Sequence, residues 1–306
     1  MTPPATVCRE TGGFSEQAGV NATREAPEMS YRSVFRPNLF RGHVIVVTGA
    51  GRGIGRCVAM ELASLGAHVI LIARRREDLN TVCEELIRRG NSASTHPVDI
   101  RLEAQVQSTI REIVKRFGPI HGLVNNAHGE FSSPLAGISQ QSFETSVRTN
   151  LVGGFVMARE IFGQSMLEHG GAIVNVIADM SGGMPGMGHA GAAKAGVVNL
   201  TQTAAAEWAA AGVRVNAVMA GYIAAGLAGR EADETAELRA ERQRRLVPLK
   251  RLGTESEISA AICFLLSHAA AYISGICLRI DGGAALNTRT APLPDHDRST
   301  PYDGFS

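Results

Sequence analysis

Seven short, largely apolar runs, each bounded by a turn, recur along the chain between longer stretches with helical spacing. The runs are His43–Thr48, His68–Ile72, Ser94–Val98, Ile120–Val124, Ala172–Ile177, Val213–Val218 and Ile276–Ile280. Most are apolar at consecutive positions instead of alternating, as parallel strands covered on both faces are. Between them, Glu77–Arg89 sets Leu79, Val82, Cys83, Leu86 and Ile87 on one helical stripe. Glu103–Phe117 does the same with Val106, Ile110, Ile113, Val114 and Phe117. Strands alternating with helices predict an α/β fold: a Rossmann-type, doubly wound, seven-stranded parallel sheet flanked by helices, in one domain over 39–287.

The ends read differently. Residues 1–38 are rich in Thr, Pro, Gly, Ala and Glu and lack an apolar period, which predicts a largely disordered extension. The tail 288–306 is polar and carries Pro292, Pro294 and Pro301. It cannot bury itself, so it must lie across the domain or a neighbour.

Composition narrows the class without choosing the chemistry. The 306 residues are 44% hydrophobic and 19% charged, with a formal net charge of +1. That balance belongs to a globular protein and gives no electrostatic case for a nucleic-acid or anionic-membrane partner. No apolar run is long enough to span a bilayer. Five cysteines, none in a CxxC, fit buried thiols in a reducing compartment better than disulfides or a metal site. The reading is a cytoplasmic protein with no metal.

The strongest local signal runs from Val46 to Arg56, where a strand enters a glycine-rich turn and a helix leaves it. Gly49, Gly51, Gly53 and Gly55 permit a tight turn and close backbone approach, Ile54 joins them in the expected cofactor set, and the helix N-terminus receives a pyrophosphate. The second strand ends in Ala73-Arg74-Arg75-Arg76, with no carboxylate for ribose hydroxyls. Arg74, with Arg52 from the glycine loop, instead suits a 2′-phosphate, so the expected cofactor is NADP(H).

Taken as a set, Thr48-Gly-x-x-x-Gly-Ile-Gly, Asn125-Asn126-Ala127, Asn150, Ile173-Val174-Asn175, Lys194 and Asp281-Gly282-Gly283 resemble the short-chain dehydrogenases/reductases in order and spacing. The resemblance covers about 41–286. Around His189–Val197 it narrows to the peroxisomal trans-2-enoyl-CoA reductases and their bacterial relatives. It implies a homodimer or homotetramer with one cofactor per subunit. It also assigns Asp99 and Ile100 to the adenine, Asn125 and Ala127 to the cofactor floor, and Gly221 and Ile223 to the cofactor set.

The resemblance breaks at the catalytic tetrad. The family works with Asn, Ser, Tyr and Lys, the tyrosine moving a proton at the substrate oxygen. Here the Tyr position is Ala190, four before Lys194, and the Ser position reads Ile177-Ala178. Asn150 and Lys194 remain, Lys194 to hold the ribose and add positive potential. His189 and Tyr222 are candidate proton donors, with Asp179 or bound water as alternatives. Without the tyrosine, alcohol and ketone chemistry is disfavoured. Reduction of an activated double bond, as in a 2-enoyl- or dienoyl-CoA thioester, is less affected. The competing readings are a carbonyl or imine reductase with a non-standard donor, and a catalytically silent NADP(H)-binding protein.

Overall fold

The computed structural model describes residues 31–180, 182–224, 234–286 and 293–305. Its strands are β1 (Val44–Thr48), β2 (His68–Ala73), β3 (Ser92–Pro97), β4 (Gly122–Asn125), β5 (Gly171–Ala178), β6 (Val213–Ala220) and β7 (Cys277–Ile280). All pair in parallel, in the order β3-β2-β1-β4-β5-β6-β7. The sheet therefore grows outward in both directions from the β1–β4 pair. At such a switch point a crevice forms beyond the carboxyl ends of the strands. The helices are α1 (Gly53–Ser64), α2 (Arg76–Arg88), α3 (Glu103–Phe117), α4 (Gln140–Val147), α5 (Gly153–Ile161), the single turn α6 (Leu167–His169), α7 (Gly188–Glu207), α8 (Glu234–Leu246) and α9 (Glu255–Leu266).

The sheet is apolar on both sides because its five central strands, β2, β1, β4, β5 and β6, each feed two cores. Ile45, Val47, Val69 and Leu71 pack with Cys57, Leu62, Ile258 and Ile262 of α1 and α9. Val44, Val46, Ile70 and Ile72 face the other way, toward Val106, Ile110 and Met157 of α3 and α5. Full burial of each such side chain contributes roughly 1.5–3 kcal/mol. Each expected strand is present within two residues of its ends. On α2, Leu79, Val82, Cys83 and Leu86 are buried as the stripe requires, while Ile87 lies at its edge. No helix of the described residues is long and apolar enough to cross a membrane.

The packed body begins earlier than the expected boundary at 38. Tyr31 is buried, and its hydroxyl donates to Glu61 Oε2 at 3.1 Å. Glu61, fully buried on α1, also accepts from Ser33 Oγ (2.7 Å) and Ser259 Oγ (2.5 Å). A buried carboxylate is stable only with such donors. The segment is drawn in by these polar bonds and by single aromatic anchors, Tyr31, Phe35 and Phe40, which pack on the core without forming an apolar period. Residues 1–30 of the expected extension lie outside the described residues. The tail crosses its own domain: Gly304 accepts from the Arg32 N–H (2.7 Å), and Phe305 meets the Tyr31 ring edge-on at 5.0 Å.

Candidate active site

The glycine loop joins β1 to α1. Gly49 has φ +67°, and a Cβ on Gly55 would stand 2.3 Å from the Gly49 carbonyl oxygen. Only glycine fits where the helix begins this close to the strand. The N-cap of α1, Arg52, makes no side-chain cap bond, so the first-turn N–H groups stay available to an anion. Beyond β2, Arg74 is exposed, as is Arg52, and neither forms an ion pair with a described residue. Arg75 is engaged by Asp78 at 2.5 Å. This cradle fits the pyrophosphate of a nicotinamide dinucleotide. Asp99, after β3, is held by the fork of Arg101 at 2.5–3.1 Å. Those hydrogen bonds hold its carboxyl below the ordinary value, against the opposing effect of burial. Ile100 beside it is buried and packs on Gly153.

Thr48 ties the loop to the centre of the crevice. Its Oγ1 donates to the Val124 carbonyl (3.3 Å) and accepts the N–H groups of Asn126 and Ala127, both at 3.0 Å. Asn125 Nδ2 donates to the Gly154 carbonyl and to Asn175 Oδ1, each at 3.1 Å, locking β4 to β5 and α5.

Asn150 sits in a π-helical stretch, Arg148–Val152, inserted between α4 and α5. Such bulges commonly mark functional positions. Its side chain grips the backbone of Gly129 from both sides. The Gly129 N–H donates to Oδ1 (3.0 Å), and Nδ2 donates to the Gly129 carbonyl (2.8 Å) and to Ser146 Oγ (3.0 Å). Lys194 lies two turns into α7, buried, with its Nζ in an ion pair with Glu130. Burial pushes the Glu130 carboxyl up, but Lys194, by charge and hydrogen bond, with His128 and His189 behind it, more than reverses that and leaves it below the ordinary range.

A cavity of about 120 Å³ brings Asn125, Ala127, His128, Asn150, Asn175 and Lys194 together, with Ile100, Leu151 and Phe155 among its apolar walls. The other two expected catalytic residues stand apart from it. His189 is fully buried, its ring stacked on Phe131 at 4.0 Å, and neither ring nitrogen has a hydrogen-bond partner. Tyr222 is partly exposed and lines a separate space of about 140 Å³ with Arg251, Glu257 and Asp281. Gly221, where a Cβ would lie 2.7 Å from Asp281 Cα, and Ile223, bridged to Gly253, close the ends of β6 and β7. Ala190, the tyrosine position, is completely buried, and Ala178 is half-buried.

Residues 49–285 match the family model described as Enoyl-(Acyl carrier protein) reductase. The chain belongs to the short-chain dehydrogenase/reductase superfamily. Members of this superfamily are oxidoreductases that use nicotinamide cofactors. The chain is 32% identical over 256 residues to the peroxisomal 2,4-dienoyl-CoA reductase [(3E)-enoyl-CoA-producing] of Mus musculus, covering 83% of this chain and 87% of that protein. It is 34% identical over 240 residues to a 3-oxoacyl-[acyl-carrier-protein] reductase of Staphylococcus epidermidis, covering 78% and 97%. Among solved structures, the citronellol catabolism dehydrogenase of Pseudomonas aeruginosa PAO1 is 55% identical, with TM-score 0.75, covering 83% of this chain and all of that one.

Within this short-chain dehydrogenase/reductase, sequence reasoning missed Glu130 and His128. A signal was available. A lysine expected to be buried requires an anion, and Glu130 lies five residues beyond the end of β4, at the carboxyl edge of the sheet.

Proposed function

We propose that the chain is an NADPH-dependent reductase of an activated carbon–carbon double bond, with a 2-enoyl or dienoyl thioester of coenzyme A as substrate. The observation that carries this reading is that both hydroxyl positions of the tetrad are methyl groups, Ala178 and Ala190, beside a retained Asn150 and Lys194. Forming or consuming an alcohol requires a proton moved at oxygen as the hydride moves, and a methyl group cannot do this. When bound, the cofactor would supply hydride to C3 of a 2-enoyl thioester or C5 of a 2,4-dienoyl thioester, and charge would develop on the thioester oxygen. That oxygen needs only donors and positive potential, which Lys194 supplies, while the proton reaches C2 separately. Arg74 and Arg52 hold the 2′-phosphate, and the mouse relative carries a dienoyl-CoA reductase name. Exposed Phe143, Val152 and Phe155 on the 140–161 segment suit a homo-oligomer.

The test is NADPH oxidation with crotonyl-CoA, a 2,4-dienoyl-CoA, a longer 2-enoyl-CoA and a branched isoprenoid 2-enoyl-CoA, beside a 3-oxoacyl thioester, a ketone and a cyclic imine. Turnover confined to the enoyl and dienoyl thioesters is expected. Comparable turnover of the ketone or 3-oxoacyl thioester overturns the reading. A second reading, alcohol–carbonyl chemistry, has one observation in its favour: the Glu130 carboxylate beside Lys194 is a base close to the cavity. The names of the Pseudomonas and Staphylococcus relatives point the same way.

A further inference from the structure

Lys194 raises a problem of electrostatics that the vacant tyrosine position makes sharper. Its ammonium is almost wholly removed from water, with 8% of the side chain exposed, and the hydroxyl that would adjoin it one turn earlier is the methyl of Ala190. A buried cation without a partner gives up its proton or leaves the site. The partner present is Glu130, from a different segment of the chain, and its place there is enforced. Asn150 spends both ends of its amide on the backbone of Gly129, the residue immediately before Glu130. The titratable groups near the Glu130 carboxylate are Lys194 and His189 from α7 and His128 from its own loop.

We propose that Glu130 is a positioning residue of the active site: it replaces the missing oxygen acid as the partner of Lys194 and keeps that lysine charged and aimed at the nicotinamide ribose. The proposal rests on the NADPH reading of the preceding subsection. It also gives Asn150 a specific task in this chain, which is to deliver Glu130 to Lys194 by holding Gly129. It explains how a lysine can persist beside a vacant tyrosine position.

The experiment is NADPH affinity measured by nucleotide fluorescence from pH 6 to 10, needing no substrate, for the wild type, Glu130→Gln, Glu130→Asp, Lys194→Gln and the Glu130→Gln/Lys194→Gln double variant. Glu130 is partly exposed, so the amide should be tolerated. Glutamine keeps a hydrogen-bond acceptor and removes the charge. An ammonium stripped of its anion deprotonates more easily, so Glu130→Gln should lose affinity at a lower pH than the wild type, by about tenfold at the alkaline end for each unit moved. Glu130→Asp should restore part of the difference. In the Lys194→Gln background, Glu130→Gln should have no further effect. An unchanged pH profile in Glu130→Gln, or additive losses in the double variant, overturns the proposal. Failure of the wild type itself to bind NADPH overturns the cofactor reading instead. Binding that behaves as expected without enoyl turnover overturns only the substrate class.

Discussion

The two ends of the crevice hold their chemistry by different means. At the glycine loop the working groups are backbone N–H donors and exposed arginines, all from one continuous βαβ stretch, 44–76. At the Lys194 end they are side chains from three separate places: Glu130 after β4, Asn150 in the π-helical stretch and Lys194 on α7. The first end is made by backbone geometry that leaves no room for a Cβ at Gly49, Gly51 or Gly55. The second is made by long-range polar bonds, each of which holds another in position. The difference teaches where substitution should be fatal and where it should be graded.

The largest expected effect is at the first end. Gly55→Ala sets a Cβ 2.3 Å from the Gly49 oxygen and 2.5 Å from Asn126 Nδ2. Backbone on one side cannot yield, so the loop must open. A stability loss of about 3 kcal/mol or more is expected, together with loss of detectable NADPH binding. Urea unfolding and nucleotide fluorescence measure the two. Retention of both within error would show that the loop is pliable and would erase the contrast between the two ends.

The same contrast decides what was legible beforehand. The seven strands, the parallel order and the glycine loop follow from runs of apolar residues and turn chemistry, both local in the chain. Lys194 and Asn150 were legible through spacing that matches a family. Glu130 was legible only indirectly, through the need of a buried lysine for an anion, because its contact is with a residue 64 positions away. His189 adjoins the vacant position in sequence, but on a helix adjacent residues point about 100° apart. The neighbour of an active-site position therefore faces elsewhere, here into the ring of Phe131. Tyr31 escaped notice for a similar reason, since it is held by Glu61 instead of by an apolar period.

An intermediate effect probes the second end. Ala190→Tyr writes the family's Tyr-x-x-x-Lys back into the sequence. Ala190 is completely buried, however, so a phenol has no free space there and must displace its neighbours. Overpacking of this kind is destabilising by roughly 1–3 kcal/mol. The expected outcome is a lowered melting temperature and no gain of ketone reduction. A stable variant that reduces ketones would mean that the vacant position is a simple deletion of function, with the surroundings still shaped for tyrosine.

The smallest effect separates two neighbouring arginines and returns to the glycine-loop end. Arg74 and Arg75 are both exposed and follow β2 directly, and sequence gives no strong reason to choose between them beyond position. The structure does. Arg75 is tied to Asp78 at 2.5 Å, so its guanidinium is already turned toward the first turn of α2, whereas Arg74 has no such ion pair. A charge-assisted hydrogen bond to phosphate contributes about 1.5–3 kcal/mol. Arg74→Ala should therefore weaken NADPH about tenfold or more while leaving NADH unchanged. Arg75→Ala removes only an exposed i,i+3 ion pair, worth a few tenths of a kcal/mol, and should change NADPH affinity less than about twofold. Paired NADPH and NADH titrations of the two variants measure both effects. Equal losses in both variants would mean that Asp78 releases Arg75 when the phosphate arrives, making the 2′-phosphate site a two-arginine clamp instead of a single contact.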